Sequence, residues 1–317
     1  MLGSYLCGND IVSNRRGQLN EPNQHNQLLI LFLDTQNRSC YTCSCPMNKV
    51  GILFHPKIEA ACRKAKALEK FLSGRGIATW VGSAWEIDKA RSQLKDTELL
   101  LSVGGDGTVL RAAQVVIPAS VPITGVNLGT LGFMTELATD EAETELPKLI
   151  AGKGWLDVRA MLEVTVGDKA FHALNDVVVG RGAIPRLVHI EARIDSQLLT
   201  IYRADGVIVA TATGSTGYAL AAGGPILPPQ SQEKVLLPVV PHLSPGYPLV
   251  LKAGAVIELK IKALYQPSMS IDGHINLALA NDDTVTVKLS RNVIRFLRIH
   301  PPESYYGSLE QRLKGKK

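Results

Sequence analysis

The residues best suited to chemistry are Gly104, Gly105, Asp106, Gly107 and Thr108, which directly follow the apolar run 99–103, LLLSV. Glycines at the carboxyl end of a buried parallel strand let backbone approach a phosphate closely. The helix start that follows offers free N–H groups to an anion. A carboxylate in such a loop would repel phosphate unless it has a task, such as accepting a proton from an attacking hydroxyl or holding a metal. Asp106 is therefore the candidate catalytic residue, and the bland alternative is a turn in which it caps the helix. The spacing fits neither the Walker pattern, since no Gly-Lys-Ser/Thr follows, nor G-x-G-x-x-G.

Three more segments carry candidate chemistry. Gly125, Gly129 and Gly132 fall within eight residues and precede Phe133. They form either a second close-approach loop or a tight turn with Phe133 in the core. Asn175 and Asp176 open the run 177–179, and an amide beside a carboxylate can hydrogen-bond sugar hydroxyls and a base edge. An Asx turn is the structural alternative. Residues 205–225 pass from a strand into a loop rich in Thr, Ser and Gly and then into small residues. Such a surface suits a flat, polar ligand pressed against backbone, with Tyr218 adding a ring. The density of hydroxyls and glycines exceeds what a purely structural loop needs.

The elements that must position these residues follow two textures. Over 47–150, short apolar strands (50–54, 77–81, 99–103, 122–127) alternate with helical spacing at 58–73 and 108–116, which predicts a doubly wound, mostly parallel α/β domain. Over 151–300, short β-branched runs at 162–166, 176–179, 189–194, 206–210, 256–263, 269–271, 284–288 and 293–298 predict a β-rich, sandwich-like domain. Residues 301–317 form a tail with a short amphipathic helix at 305–313. Residues 1–46, rich in Asn and Gln, read as a disordered extension, with Met47 as the functional start.

Composition bounds the rest. The chain has 317 residues, a formal charge of +5, 45% hydrophobic and 20% charged residues. That is ordinary for two globular domains. Aromatics at 5% argue against a stacking platform for single-stranded nucleic acid. Arg312, Lys314, Lys316 and Lys317 read as a solvated helix end, so no nucleic-acid partner is expected. No run approaches the ~18 apolar residues of a membrane span, and the run 28–33 is too short for a signal core. No membrane partner is expected either. Four of the five cysteines (Cys7, Cys40, Cys43, Cys45) precede Met47, leaving Cys62 for the remainder. This predicts a reduced, cytoplasmic setting. Cys40-x-x-Cys43-x-Cys45 lacks a second ligand pair at zinc-like spacing, so no protein metal site is expected.

Taken in order, GGDGT at 104–108, the GVNLGTLGF stretch at 125–133, the Asn175-Asp176 pair and the DG…TATGSTGYALAAGGP segment at 205–225 resemble the NAD kinase family. The likeness runs from about residue 48 to the C-terminus. Pro238, Pro241 and His242, then Asp272, Gly273 and His274, also fall where the family has them. The resemblance implies transfer of a phosphoryl group from ATP, or from polyphosphate, to the 2′-hydroxyl of the adenosine ribose of NAD. It implies a divalent cation, most simply Mg²⁺, carried with the ATP. It also implies a homo-oligomer, dimer or tetramer, whose sites borrow residues from a neighbour. By that analogy Asp106 takes the hydroxyl proton, while Gly104, Gly105, Gly107 and Thr108 form the phosphate loop. Arg111 lies near the donor or the pyrophosphate. Asn175 and Asp176 hold the sugars and base, and Arg186, Arg203 and Asp205 line the dinucleotide site. Thr213, Thr216, Gly217, Tyr218, Ala219, Leu220 and Ala221 cradle adenine and ribose, and His274 closes the site. Asp176 stands where the family more often has Glu, and Ala212, Gly217, Ala219 and Ala221 replace its Pro, Ala and Ser residues.

Two other functions share parts of this pattern. A diacylglycerol-type lipid kinase also carries GGDGT, but it typically has an acid a few positions downstream, where this chain has Thr108-Val109-Leu110-Arg111. A non-catalytic dinucleotide-binding protein would not need Asp106 inside an intact glycine loop.

Overall fold

A computed structural model describes residues 40–41, 47–129, 132–184, 186–302 and 304–314. Apart from Cys40–Tyr41, the expected N-terminal extension lies outside the described residues. That pair forms a two-residue strand against Trp155 and Gly154.

The N-terminal half is the predicted α/β layer. Strands Lys49–Phe54, Ala78–Ser83, Leu99–Val103 and Ile123–Asn127 pair in parallel, with Lys49–Phe54 and Leu99–Val103 inside. Leu99–Val103 is buried throughout, since helices cover both faces. Helix Glu59–Ser73 packs Ala61, Ala65, Leu68 and Leu72 onto one face. Helix Asp106–Val116 packs Val109, Ala112, Ala113 and Val116 toward the other. Helices Ile87–Ser92 and Ala142–Ile150 were not expected; the first is only six residues long, and the second packs a helical stripe of Ala142, Leu146, Leu149 and Ile150 into the core.

The second half is β-rich. Six antiparallel strands form one sheet in the order Leu249–Leu251, Lys234–Val239, Gly206–Ala210, Asp176–Arg181, Pro267–Ile271, Ile275–Ala278. Val177, Val179, Val207, Val209, Met269 and Ile271 from this sheet meet Leu162, Val164, Ile190, Leu259, Val285 and Val287 from the other, which makes a sandwich core. The opposite face of Gly206–Ala210 is covered by Ala212, Ala219 and Leu227. That strand is therefore buried on both sides and delivers the Thr/Ser/Gly loop from a rigid base.

The runs 284–288 and 293–298 are one strand, Thr284–Arg298, with a register shift between Leu289 and Val293. Its first part pairs with Ile257–Lys262 in the β-rich half. Near its end Phe296 pairs in parallel with Ile123 of the α/β sheet. Gly154–Val166 runs antiparallel along most of it. One twelve-stranded sheet thus joins both halves, and a continuous ladder fixes the glycine loop relative to the β-rich half. No helix among the described residues is long and apolar enough to cross a membrane.

Candidate active site

The glycine loop closes on itself through a contact that only glycine allows. Gly104 has φ 153°, and a Cβ there would lie 3.0 Å from Cβ of Thr108 and 3.3 Å from that of His55. At Gly105 and Gly107 a Cβ would meet nothing within 4 Å. The loop is packed beneath and open above, as backbone contact with a phosphate requires. Thr108 Oγ is buried without a hydrogen-bond partner.

The helix begins at Asp106, two residues before the expected start, with Gly105 as its N-cap. Asp106 is therefore not the cap. Its carboxylate turns to the 125–133 stretch, where Oδ2 accepts the amide of Phe133 at 2.9 Å. Oδ1 accepts the amides of Met134 and Thr135 at 3.0 and 3.3 Å. A carboxylate has about four acceptor positions, so one on Oδ2 remains. Gly132 is the close-approach residue of this loop, since a Cβ would press into the Asp106 carboxylate. Phe133 is only half-buried, so its amide matters to the loop more than core packing does.

A second group converges at the start of strand Asp176–Arg181. Asn175, Asp176, Tyr218, Ser270, Asp272 and Gly273 line one cavity of about 380 Å³. A Cβ at Gly217 would lie 3.6 Å from Nδ2 of Asn175 and 3.8 Å from Oδ2 of Asp176. Asn175 Oδ1 and His274 Nε2 are buried and unpartnered, and His274 Nδ1 lies 3.1 Å from the Asp272 carbonyl. Unpaired buried polar atoms are costly, and a polar ligand at this cavity would supply partners. Burial raises the pKa of Asp176, and the charge of Asp272 raises it further, to about 7.

The Thr/Ser/Gly loop divides its labour. Thr211 Oγ donates to Leu174 O at 2.6 Å and accepts the Gly214 amide; Ser215 Oγ donates to Ala212 O and accepts the Leu227 amide. Thr216 Oγ donates to Thr213 O. These hydroxyls hold the loop's shape, so much of the density that suggested a ligand is structural. Gly214 is obligatory, because a Cβ would run into the Asn175 carbonyl. Tyr218 is exposed, and Leu220 and Ala221 are partly or fully open. Ala219 is fully buried in the core, so its side chain faces away from any ligand.

Several expected residues stand elsewhere. Arg111 stacks 4.1 Å over the Trp85 ring, and burial lowers its pKa. Asp205 pairs with Arg181 at 3.1 Å, and Arg181 with Arg186 lines a separate cavity beside Leu264 and Tyr265. Arg203 is exposed on the edge strand Gln197–Ala204. These arginines and Asp205 do not line the cavity around Asn175. The tail helix Ser304–Lys314 is not wholly a bystander, since Arg312 donates to the Gly132 carbonyl beside Asp106.

A buried charge network, absent from the sequence reading, backs the Thr213 end of the site. Asp157 accepts from Arg159 (2.6 and 2.8 Å) and from Arg298 (2.7 Å); Arg298 also reaches Glu136 at 2.9 Å. Arg159 Nη1 donates to Thr213 Oγ at 3.2 Å. Burial alone would raise Glu136, but the His300 hydrogen bond and the Arg298 charge bring it to about 2. The same opposition, with Arg159 and Arg298 prevailing, holds Asp157 well below the usual carboxylate range. Asp157 and Arg159 point the same way from one strand, and charges at period 2 in an apolar strand were the available signal.

Comparison with known proteins settles the family. The family model described as the ATP-NAD kinase N-terminal domain matches residues 69–154, and that of the ATP-NAD kinase C-terminal domain matches residues 174–299. An NAD kinase of Dehalococcoides mccartyi is 43% identical over 273 residues, 84% of this chain and 96% of its own. The chain belongs to the NAD kinase family. An NAD kinase of Chloroflexus aurantiacus is 38% identical over 84% of this chain and 99% of its own. Two solved structures share the fold at 24% identity. A yeast NADH kinase complexed with NADH has a TM-score of 0.78 over 90% of this chain and 94% of its own. An NAD kinase from Archaeoglobus fulgidus in complex with ATP has a TM-score of 0.70 over 85% of this chain and all of its own. Membership of the NAD kinase family makes the chain a phosphotransferase, and it sets aside the lipid-kinase and non-catalytic readings.

Proposed function

We infer that the protein phosphorylates the 2′-hydroxyl of the adenosine ribose of NAD with ATP, giving NADP. The single observation that carries the mechanism is the Asp106 carboxylate, oriented by three backbone amides at the foot of the open glycine loop with one acceptor position left. In the proposed reaction that position accepts the hydroxyl proton as oxygen attacks the terminal phosphorus. The Gly105 and Gly107 backbone receives the donor phosphates. Asn175 and Asp176 hold ribose hydroxyls and base edge, with Tyr218 against the ring.

Among the described residues, no three His, Cys, Asp or Glu side chains gather to hold a metal. A divalent cation carried on the triphosphate would take most of its ligands from phosphate oxygens and water, with Asp106 the carboxylate of the loop. There it would neutralise phosphate charge. The yeast and archaeal structures, bound to NADH and ATP respectively, support both substrate classes. Arg186, Arg203 and Asp205, exposed or half-exposed and away from Asn175, fit a homo-oligomer in which they serve a neighbour's site. A reducing cytoplasm suits the free thiol of Cys62.

The test is incubation of the protein with NAD, ATP and Mg²⁺ and an assay for NADP. Absence of product across several phosphate donors would overturn the reading. Asp106→Asn should bind NAD yet lose roughly 10²–10⁴ of the rate, the usual share of a general base. A wild-type rate would remove Asp106 from that role.

A further inference from the structure

Asp272 occupies the turn between strands Pro267–Ile271 and Ile275–Ala278, at φ 49°, a left-handed conformation uncommon outside glycine. It is 6% exposed. Its Oδ1 accepts the amides of Asn175 (2.7 Å) and Asp176 (3.2 Å). Its Oδ2 accepts the amide of Leu174 (2.9 Å) and the Gln114 side-chain amide (3.4 Å). In return the Asp272 amide donates to the Asp176 carbonyl at 3.0 Å. Gln114 makes its other donation to the His172 carbonyl at 2.8 Å.

Four donors around one carboxylate fill its acceptor positions. Asp272 therefore has none left for a ligand, although it lines the same cavity as Asn175 and Asp176. The donor set also explains the residue type. An Asn would turn an NH₂ toward N–H groups, whereas a carboxylate accepts from every side. The placement costs something, since two carboxylates sit close together in a buried place. Gln114 lies about two turns along the helix that opens with Asp106. One carboxylate thus ties the chain bearing Asn175 and Asp176 to the helix bearing Asp106.

We propose that Asp272 is a positioning residue that fixes Asn175 and Asp176 against the Asp106 helix, setting the acceptor dinucleotide in register with the catalytic carboxylate. The inference rests on reading Asn175 and Asp176 as the NAD-binding pair. Hydrogen bonds to a charged acceptor are individually strong, and losing one or two corresponds to roughly 10- to 100-fold in binding.

The experiment uses the full chain with Asp272→Asn and Gln114→Met. Asp272→Asn should raise KM for NAD about 10- to 100-fold and leave KM for ATP nearly unchanged. It should also lower the pH midpoint of NAD binding, because Asp272 is the charge acting on Asp176, while His274, which faces Asp272, is retained. A merely structural residue would lower thermal stability and move neither the split between the two KM values nor the pH midpoint. Gln114→Met, which spares the backbone clamp, should lower kcat with KM for NAD held. A folded Asp272→Asn protein with wild-type KM for NAD and wild-type pH midpoint overturns the proposal. If that variant does not fold, a wild-type kcat for Gln114→Met does so instead. Should the wild-type protein make no NADP, the kinase reading fails on its own. Amide hydrogen exchange at residues 174–176 then still judges the clamp, since faster exchange on substitution at 272 supports it and unchanged protection refutes it.

Discussion

Asp176→Asn isolates the cost of a buried acid at the cavity beside Asn175. In the folded protein the Asp176 pKa stands at about 7, raised by burial and then by the neighbouring Asp272. In the unfolded chain it would be about 3.9. Folding therefore favours the neutral acid. The associated stability is fully present below the unfolded value and is lost as pH rises through about 7. The difference of roughly three units corresponds to about 4 kcal/mol. At 6% exposure, solvent screening reduces this little. An Asn at this position does not titrate. Relative to wild type, the variant should gain about 1 kcal/mol near pH 4.5 and about 4 kcal/mol by pH 8. Thermal melts across that range should show the gap in Tm widening by about 6–12 °C in favour of Asn. Titrations with NAD should show the opposite preference, with wild-type affinity rising through pH 7 as the carboxylate becomes able to accept ribose hydroxyls, and the variant weak and flat. A Tm difference that stays constant from pH 4.5 to pH 8 would refute the assignment of an acid held neutral by burial.

Gly132→Ala places a methyl 2.5 Å from Cγ and 2.6 Å from Oδ2 of Asp106, where ordinary contact begins at 3.4 Å. The carboxylate must leave its three amides, so kcat should fall roughly 100-fold, as for an ångström-scale misplacement, with NAD affinity retained; an unchanged kcat in steady-state assays would count against the orienting role of the loop. Arg159→Met leaves the 1% exposed Asp157 with Arg298 as its one charged partner among the described residues, beside the Gln230 amide at 3.0 Å. Breaking such a pair costs about 3–5 kcal/mol, so Tm should drop by about 10 °C, and a melt within 2 °C (about 1 kcal/mol) of wild type would contradict the network.

The glycine loop was legible because its cause is local. LLLSV followed by glycines demands a buried strand and a backbone turn at its carboxyl end. The helix starts two residues before the expected Thr108, at Asp106, and the bland alternative of Asp106 as a cap falls away because its carboxylate turns to the loop at 133–135. The Asn175-Asp176 pair was legible as a polar strand opening, but its clamp was not. Asp272 and Gln114 lie 96 and 58 positions or more from the groups they hold, and nothing in their local sequence marks them. The sequence shows strand Thr284–Arg298 as two runs, 284–288 and 293–298, because the polar residues Ser290, Arg291 and Asn292 interrupt its apolar pattern. In the fold they form a bulge, the place where a strand bends without ending. Local pattern reveals turns and periods, whereas buried polar partnerships become visible only once the strands are paired.

The same distinction reassigns the positive charge. On the sequence, a surplus of +5 suggested arginines turned toward anionic substrates and a basic tail left in solvent. In the fold, Arg159 and Arg298 are internal, and Asp157 and Glu136 neutralise them, so they shape the site without offering it free charge. Arg111 covers an indole ring. Arg312, from the tail, donates Nε–H to Ser308 Oγ at 2.9 Å and Nη1–H to the carbonyl of Gly132, one residue before the amide that holds Asp106. The tail thus acts through backbone geometry on the loop that holds Asp106. In the proposed reaction the phosphates would then meet glycine amides and the helix start, oriented dipoles that need no side-chain rearrangement, which is the arrangement electrostatic preorganisation favours.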